Sequence, residues 1–239
     1  MLILFDIDAT LITTGGVGVG AMGDAGRELF GADFDETRIQ YAGRLDPLIL
    51  EDLLRDNGLD TGAANLAAMR DGYRRHLAAR LPRAAARALP GVMDLLGALA
   101  GRRDVTIGLL TGNFADTGAM KLRACGIDPT GFQIAVWGNE SPLSPPRREH
   151  LPPVGIERFR ERHGRNPGRT VIVGDTPHDV RCALENGCEC LAVATGSFTA
   201  GVLRETGAHR VVPDLSSTNE ILEFLAGPRG GAGVGVAGR

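Results

Sequence analysis

Apolar side chains follow two rhythms along this chain. Near-continuous runs of Val, Ile, Leu and Ala, bounded by Gly, Asp or Pro, occupy residues 2–7, 105–110, 132–136, 170–173 and 190–194, with a weaker run at 210–212. Such runs predict parallel strands covered on both faces, because a strand with one wet face would alternate. Between them, residues 92–100, 115–125, 156–163, 179–186 and 198–205 read as helices. Strand and helix in alternation predict an α/β fold, a Rossmann-like doubly wound parallel sheet.

Residues 15–90 break this alternation. Leu48, Ile49, Leu53 and Leu54 keep helical spacing, as do Leu66, Met69, Tyr73 and Leu77, and nothing in 15–89 reads as a strand. The segment is predicted to be an all-helical cap domain inserted after the first strand, leaving 1–14 and 91–226 as the α/β core. Its entry (Gly15, Gly16, Gly18, Gly20) and exit (Pro90-Gly91) have the residues of a hinge. Residues 227–239 are glycine-rich, lack apolar periodicity, and are predicted to be a disordered tail.

Charge narrows the partners. The 239 residues carry 26 Lys+Arg against 29 Asp+Glu, a formal charge of −3, which supplies no basic field for nucleic acid or acidic lipid. No apolar run approaches the roughly 20 residues that cross a bilayer. The apolar N-terminus has no basic segment before it and is interrupted by Asp6 and Asp8, unlike a signal peptide. A cytoplasmic protein, monomeric or homodimeric, with no nucleic-acid or membrane partner is expected. Cys125, Cys182, Cys188 and Cys190 match neither a disulfide framework nor a zinc spacing. Lys121 is the only lysine, so lysine chemistry elsewhere is excluded.

Three strand ends carry the chemistry. The first ends in Asp6-Ile7-Asp8-Ala9-Thr10, two carboxylates one alternation apart at the edge where parallel sheets bind ligands. Alone, this is equally a solvated turn. Strand 105–110 runs into Thr111-Gly112-Asn113 at a helix start, either a phosphate cradle or an ordinary N-cap. Strand 170–173 runs into Gly174-Asp175-Thr176-Pro177-His178-Asp179, whose acids suit Mg²⁺, although Asp179 also fits a helix cap. The three together are far more specific than any one.

In that order these segments resemble the D-x-D-x-T, second and acidic fourth motifs of the haloacid dehalogenase superfamily of aspartate-nucleophile phosphohydrolases. The likeness spans nearly all of residues 1–226. Gly43-Arg44-Leu45-Asp46-Pro47 and Leu89-Pro90-Gly91-Val92 resemble the helical C1 cap of its phosphoglycolate-phosphatase-like members. The resemblance implies a Mg²⁺-dependent phosphatase of a small phosphorylated metabolite. Asp6 would be the nucleophile that forms an aspartyl phosphate, and Asp8 the general acid and base. Mg²⁺ would be held by Asp6, the Asp8 backbone carbonyl and Asp175, with Asp179 orienting metal-bound water or a basic residue. Thr111, Gly112 and Asn113 would hold the phosphoryl oxygens, and Arg44 and Asp46 would lie beside the leaving group. Arg44 and Asp46 fit equally a surface turn before the helix that Pro47 starts.

The family's third-motif lysine is missing between the second and fourth motifs. Arg148 matches in position and can grip phosphate bidentately. Lys121, about two turns into its helix, is a rival at long reach, and Arg147 a third candidate. Two further readings stay open: a phosphomutase on the same scaffold, and a catalytically silent phosphometabolite-binding protein. Gly18-Val19-Gly20-Ala21-Met22-Gly23 satisfies G-x-G-x-x-G, but it does not follow its strand directly as a dinucleotide loop must, so a hinge is the better reading. Arg74, Arg75, Arg80, Arg83 and Arg87 have no interleaved aromatics for base stacking and read as a solvated face.

Overall fold

The computed structural model describes residues 1–226; the tail expected at 227–239 lies outside the described residues. The chain begins with β1 (Leu2–Phe5) and β2 (Ile12–Thr13), then α1 (Val17–Phe30), α2 (Asp46–Asp56), α3 (Ala63–Arg80) and β3 (Arg87–Ala88). It continues through α4 (Val92–Ala100), β4 (Thr106–Leu110), α5 (Ala115–Ala124), β5 (Ile134–Val136), α6 (Leu151–His163) and β6 (Thr170–Gly174). It closes with α7 (Pro177–Glu185), β7 (Glu189–Val193), α8 (Ala200–Glu205), β8 (Arg210–Val212) and α9 (Thr218–Ala226).

The continuous apolar runs form a six-stranded sheet in the order β5-β4-β1-β6-β7-β8, with every pairing parallel. Alternate residues feed opposite faces. Ile3, Phe5, Leu109, Val171 and Val173 pack with α4 and α9 residues such as Leu95 and Ile221. Leu2, Leu4, Leu110 and Ile172 pack with Leu151, Phe159 and Val180 of α6 and α7. A sheet covered on both sides explains why these strands show no polar alternation.

Register then places the chemistry. Phe5 of β1 sits level with Leu109 of β4 and Val173 of β6, so the residues after the three strands emerge side by side. The chain moves to one side of β1 through β4 and β5 and to the other through β6, and this reversal opens a crevice at the strands' carboxyl ends.

Between β2 and β3, helices α1, α2 and α3 build their own core from Met22, Phe34, Leu50, Leu53, Met69 and Leu77. Phe114 of the sheet domain joins that core. The expectation of no strand within 15–89 fails at its end: Ile12 and Thr13 pair antiparallel with Ala88 and Arg87. Strands this short show no alternation to detect. Likewise α6 starts at Leu151, ahead of the expected residue 156, because prolines 152 and 153 occupy first-turn positions where an N–H lacks an intrahelical partner anyway. The G-x-G-x-x-G residues all lie inside α1. The helix continues to Gly26, where a Cβ would lie 2.2 Å from the Phe34 ring, so bare backbone here lets the following loop pack against it. All four cysteines are free. Among the described residues no helix is long and apolar enough to cross a membrane.

Candidate active site

The three loops surround one cavity of about 350 Å³, roofed by the helical segment. Asp6, Asp8, Thr111, Gly112, Asn113, Arg148 and Asp175 line it from the core, and Arg44, Asp46 and Tyr73 from the helices. The first loop turns sharply after Asp8: Ala9 takes φ 57°, in the left-handed region that a side chain disfavours. Two contacts hold it there. The Ala9 N–H donates to the Ile12 carbonyl at 2.8 Å, and Thr195 Oγ1 donates to the Ala9 carbonyl at 2.5 Å.

Asp6 is buried, with its N–H tied to the Val173 carbonyl of β6 at 2.9 Å. One carboxylate oxygen, Oδ1, lies 3.1 Å from a guanidinium nitrogen of Arg148. The same nitrogen reaches Asp179 Oδ1 at 2.6 Å, and the other terminal nitrogen donates to the Gly43 carbonyl at 3.3 Å. Arg148 is itself only 4% exposed and its Nε has no protein partner. Arg147 points elsewhere, pairing with the buried Glu149 and the exposed Glu185. Of the three basic candidates, Arg148 touches Asp6 and Arg147 does not line this cavity.

Lys121 reaches the site as well. Its Nζ lies 2.8 Å from Asp8 Oδ2 and 2.7 Å from Asn113 Oδ1. Side chains on a helix slant toward its N-terminus, so a lysine two turns into α5 extends back over the strand end, nearer than its sequence position suggests. Asn113 Nδ2 donates to the same Asp8 oxygen at 2.9 Å and to Thr111 Oγ1 at 2.8 Å. Thr111 Oγ1 accepts from the Asn113 side-chain amide and, at 3.3 Å, from the Asn113 N–H, leaving its own proton for a ligand oxygen. Asp8 remains 42% exposed at the cavity.

Asp6, Asp175 and Asp179 each place a carboxylate oxygen within 4.8 Å of the others. Burial pushes Asp6 up to about 6 against the pull of Arg148, and burial with Asp179 and Asp6 alongside pushes Asp175 up to about 8. With all three acids ionised, one guanidinium leaves two negative charges uncompensated, a deficit that a divalent cation would fill. The acids differ in what they have left to offer. Asp179 accepts Arg148 on Oδ1 and the Thr176 N–H and hydroxyl on Oδ2, completing the capping box of α7. Asp175 accepts only Thr10 Oγ1, on Oδ1 at 3.1 Å. A Cβ at Gly196 would lie 1.8 Å from Asp175 Oδ2, so that glycine clears space around the free oxygen.

The helical segment closes on this loop cluster by backbone contact. A Cβ at Gly112 would lie 1.9 Å from the Arg44 carbonyl, and the Asp46 N–H donates to the Gly112 carbonyl at 2.7 Å. Arg44's guanidinium turns away to Asp52 of α2. Asp46 opens α2 and is buried; its Oδ2 accepts the Phe114 N–H at 3.1 Å, and burial pushes its carboxyl up to about 7. Tyr73 is the residue the sequence reading passed over. It sits in a stripe of apolar α3 residues and lines the cavity, and its buried hydroxyl has no hydrogen-bond partner within the protein. A fully buried tyrosine in such a stripe is itself a signal, since its O–H needs somewhere to go.

A family model of haloacid dehalogenase-like hydrolases matches residues 3–184, and a HAD-hydrolase-like model matches residues 152–218. No curated protein gave a significant match. Among solved structures, the chain is similar to a hydrolase from Pseudomonas syringae, with 22% identity and a TM-score of 0.73 over 94% of this chain and 98% of that one. It is similar to CbbY from Rhodobacter sphaeroides in complex with phosphate, with 21% identity and a TM-score of 0.71 over 90% of this chain and 94% of that one. A predicted phosphoglycolate phosphatase from Haemophilus somnus has 17% identity and a TM-score of 0.71 over 92% of this chain and 96% of that one. The six-stranded parallel sheet agrees with that likeness of fold, and the match over residues 3–184 identifies the chain as a member of the haloacid dehalogenase-like hydrolase family.

Proposed function

We propose that the protein is a Mg²⁺-dependent phosphatase that hydrolyses a small-metabolite phosphomonoester through an aspartyl phosphate on Asp6. The observation that carries this reading is the state of Asp6. One oxygen is clamped by Arg148 while Oδ2 has no side-chain partner, in a cavity where Asp8 stands two residues away.

The uncompensated acids fit a divalent cation held by Asp6, the Asp8 backbone carbonyl and Asp175. Bound there, Mg²⁺ supplies the positive charge without which a carboxylate and a phosphate dianion repel. Asp179 has both oxygens engaged and serves to hold Arg148. Thr111 donates its hydroxyl proton to one phosphoryl oxygen, and the unpartnered Arg148 Nε lies at the same cavity. Asp6 attacks phosphorus in line as Asp8 gives its proton to the departing alkoxide. Asp8, now ionised, then takes a proton from the water that attacks the Asp6 acyl phosphate, regenerating Asp6 and releasing phosphate. Lys121 and Asn113 both hold Asp8 through its Oδ2.

The test is phosphate release from a panel of small phosphomonoesters with Mg²⁺ and with EDTA, with Asp6→Asn in parallel. Metal-dependent release that the variant lacks supports the reading. Release that persists in Asp6→Asn overturns the nucleophile, and transfer of phosphate to a second sugar hydroxyl without net release indicates a mutase.

A further inference from the structure

Part of the cavity's polar lining keeps hydrogen-bonding capacity that the phosphoryl chemistry does not use. Tyr73 lines the cavity from α3, completely buried, with its hydroxyl unpartnered. Lys121 Nζ has three N–H bonds to donate, and its contacts with Asp8 and Asn113 use two. Both groups surround the same small space beside α1. A Cβ built on Gly18 would sit 3.4 Å from Lys121 Nζ and 3.6 Å from the Tyr73 hydroxyl. Asp46 adds a carboxyl whose Oδ2 is taken by the Phe114 N–H while Oδ1 has no recorded partner. Met22 and Ile49 supply apolar wall.

Position identifies what this niche faces. Lys121 touches Asp8, and in the mechanism above Asp8 stands beside the leaving oxygen, so the niche lies on the side of the departing alcohol and not of the phosphoryl group. Its chemistry is two donors and one acceptor. A hydroxyl both accepts and donates and can pair with all three. A carboxylate only accepts, and would confront Asp46. An alkyl group would leave the Tyr73 hydroxyl, the third Lys121 N–H and Asp46 Oδ1 without partners, which is costly.

Building on the phosphatase reading, we propose that Tyr73, with Lys121 and Asp46, selects phosphomonoesters whose leaving alcohol carries a further hydroxyl within two or three carbons of the ester oxygen. Tyr73 is then a specificity-determining residue contributed by the helical segment.

The experiment compares kcat/KM for glycerol 1-phosphate, n-propyl phosphate and phosphoglycolate at pH 8 with Mg²⁺, in the wild type, Tyr73→Phe and Gly18→Ala. The proposal expects glycerol 1-phosphate to exceed propyl phosphate by about tenfold or more, the effect of one or two buried hydrogen bonds. Tyr73→Phe removes only an unpartnered hydroxyl and should fold; it should cut that ratio about fivefold or more. Gly18→Ala places a methyl in the niche and should lower the ratio independently. A purely structural role for Tyr73 would move both esters together and leave the ratio alone.

A wild-type ratio near one, a ratio unaltered in Tyr73→Phe, or phosphoglycolate preferred over glycerol 1-phosphate would each overturn the proposal. If no ester is hydrolysed, the phosphatase reading falls by itself. Calorimetric affinities of Asp6→Asn for glycerol 1-phosphate and propyl phosphate then decide the niche without turnover. Tighter binding of the hydroxylated ester, reduced by adding Tyr73→Phe, supports it, and equal binding overturns it.

Discussion

Arg148 and Lys121 are both buried and paired with carboxylates, and substitutions there should be felt through the partner left behind. Removing Arg148 as Arg148→Met strands Asp6 and Asp179 without their shared cation. Breaking a buried pair from one side costs about 3–5 kcal/mol, and urea unfolding should show a loss of that order, with Arg148→Lys in between. Asp8→Asn keeps the shape but not the proton, so kcat should fall about 10²- to 10⁴-fold while the fold persists. A kcat within threefold of wild type would remove Asp8 from the reaction. That Asp6, Asp8, Thr111 and Asp175 would meet at one site was legible because three motifs at strand ends occur together, where any one alone reads equally as a turn or a cap. The reach of Lys121 was not, since linear distance along a helix says nothing of a long side chain lying back along its axis. Tyr73 was hidden by its ring, which fills the apolar stripe as any core residue would.

Among the elements, the contact between α2's first turn and the loop after β4 couples the helical segment to the core. Gly112 has no side chain because the Arg44 carbonyl occupies that space, and the Asp46 N–H closes the same contact. Gly112→Ala should therefore hold the two apart. We expect kcat/KM to drop at least tenfold with a proportionately smaller loss of stability, because the change shifts Leu45 and Phe114, which cross between the hydrophobic cores, and leaves the rest of each core packed. Equal losses of stability and activity would instead show that Gly112 serves only folding. At this scale the large strands and helices could be read from their periods, whereas β2, β3 and the proline-bearing first turn of α6 could not: two residues define no alternation, and proline is ambiguous between stopping a helix and starting one.

Across the whole molecule, the buried acids set how stability depends on pH. Asp6, Asp46 and Asp175 hold protons in the folded state up to about 6, 7 and 8, against a value of 3.8 when unfolded. The native state then binds more protons than the unfolded one between about pH 4 and pH 8, so without divalent ions stability falls as pH rises through that range. Thermal unfolding in EDTA should show Tm declining from pH 5 to pH 8. Added Mg²⁺ should raise Tm more at pH 8 than at pH 5, because the acids it would join are ionised to a much greater extent there. Asp46→Asn should flatten the decline around pH 7. A Mg²⁺ effect independent of pH would argue against a cation among these carboxylates.

The pairing of Ile12 with Ala88 and Thr13 with Arg87 brings the two ends of the helical segment together at one point on the core. To the sheet, everything between those strands is a single closed loop, and the entropy of closing such a loop grows only slowly with its length. The two parts of the chain can therefore change at different rates. A different set of helices spliced between residues 13 and 87 would keep Asp6, Arg148 and Asp175 in register on their strands and loops, while replacing Asp46 and Tyr73. New substrates can then be acquired by exchanging the door without rebuilding the room behind it.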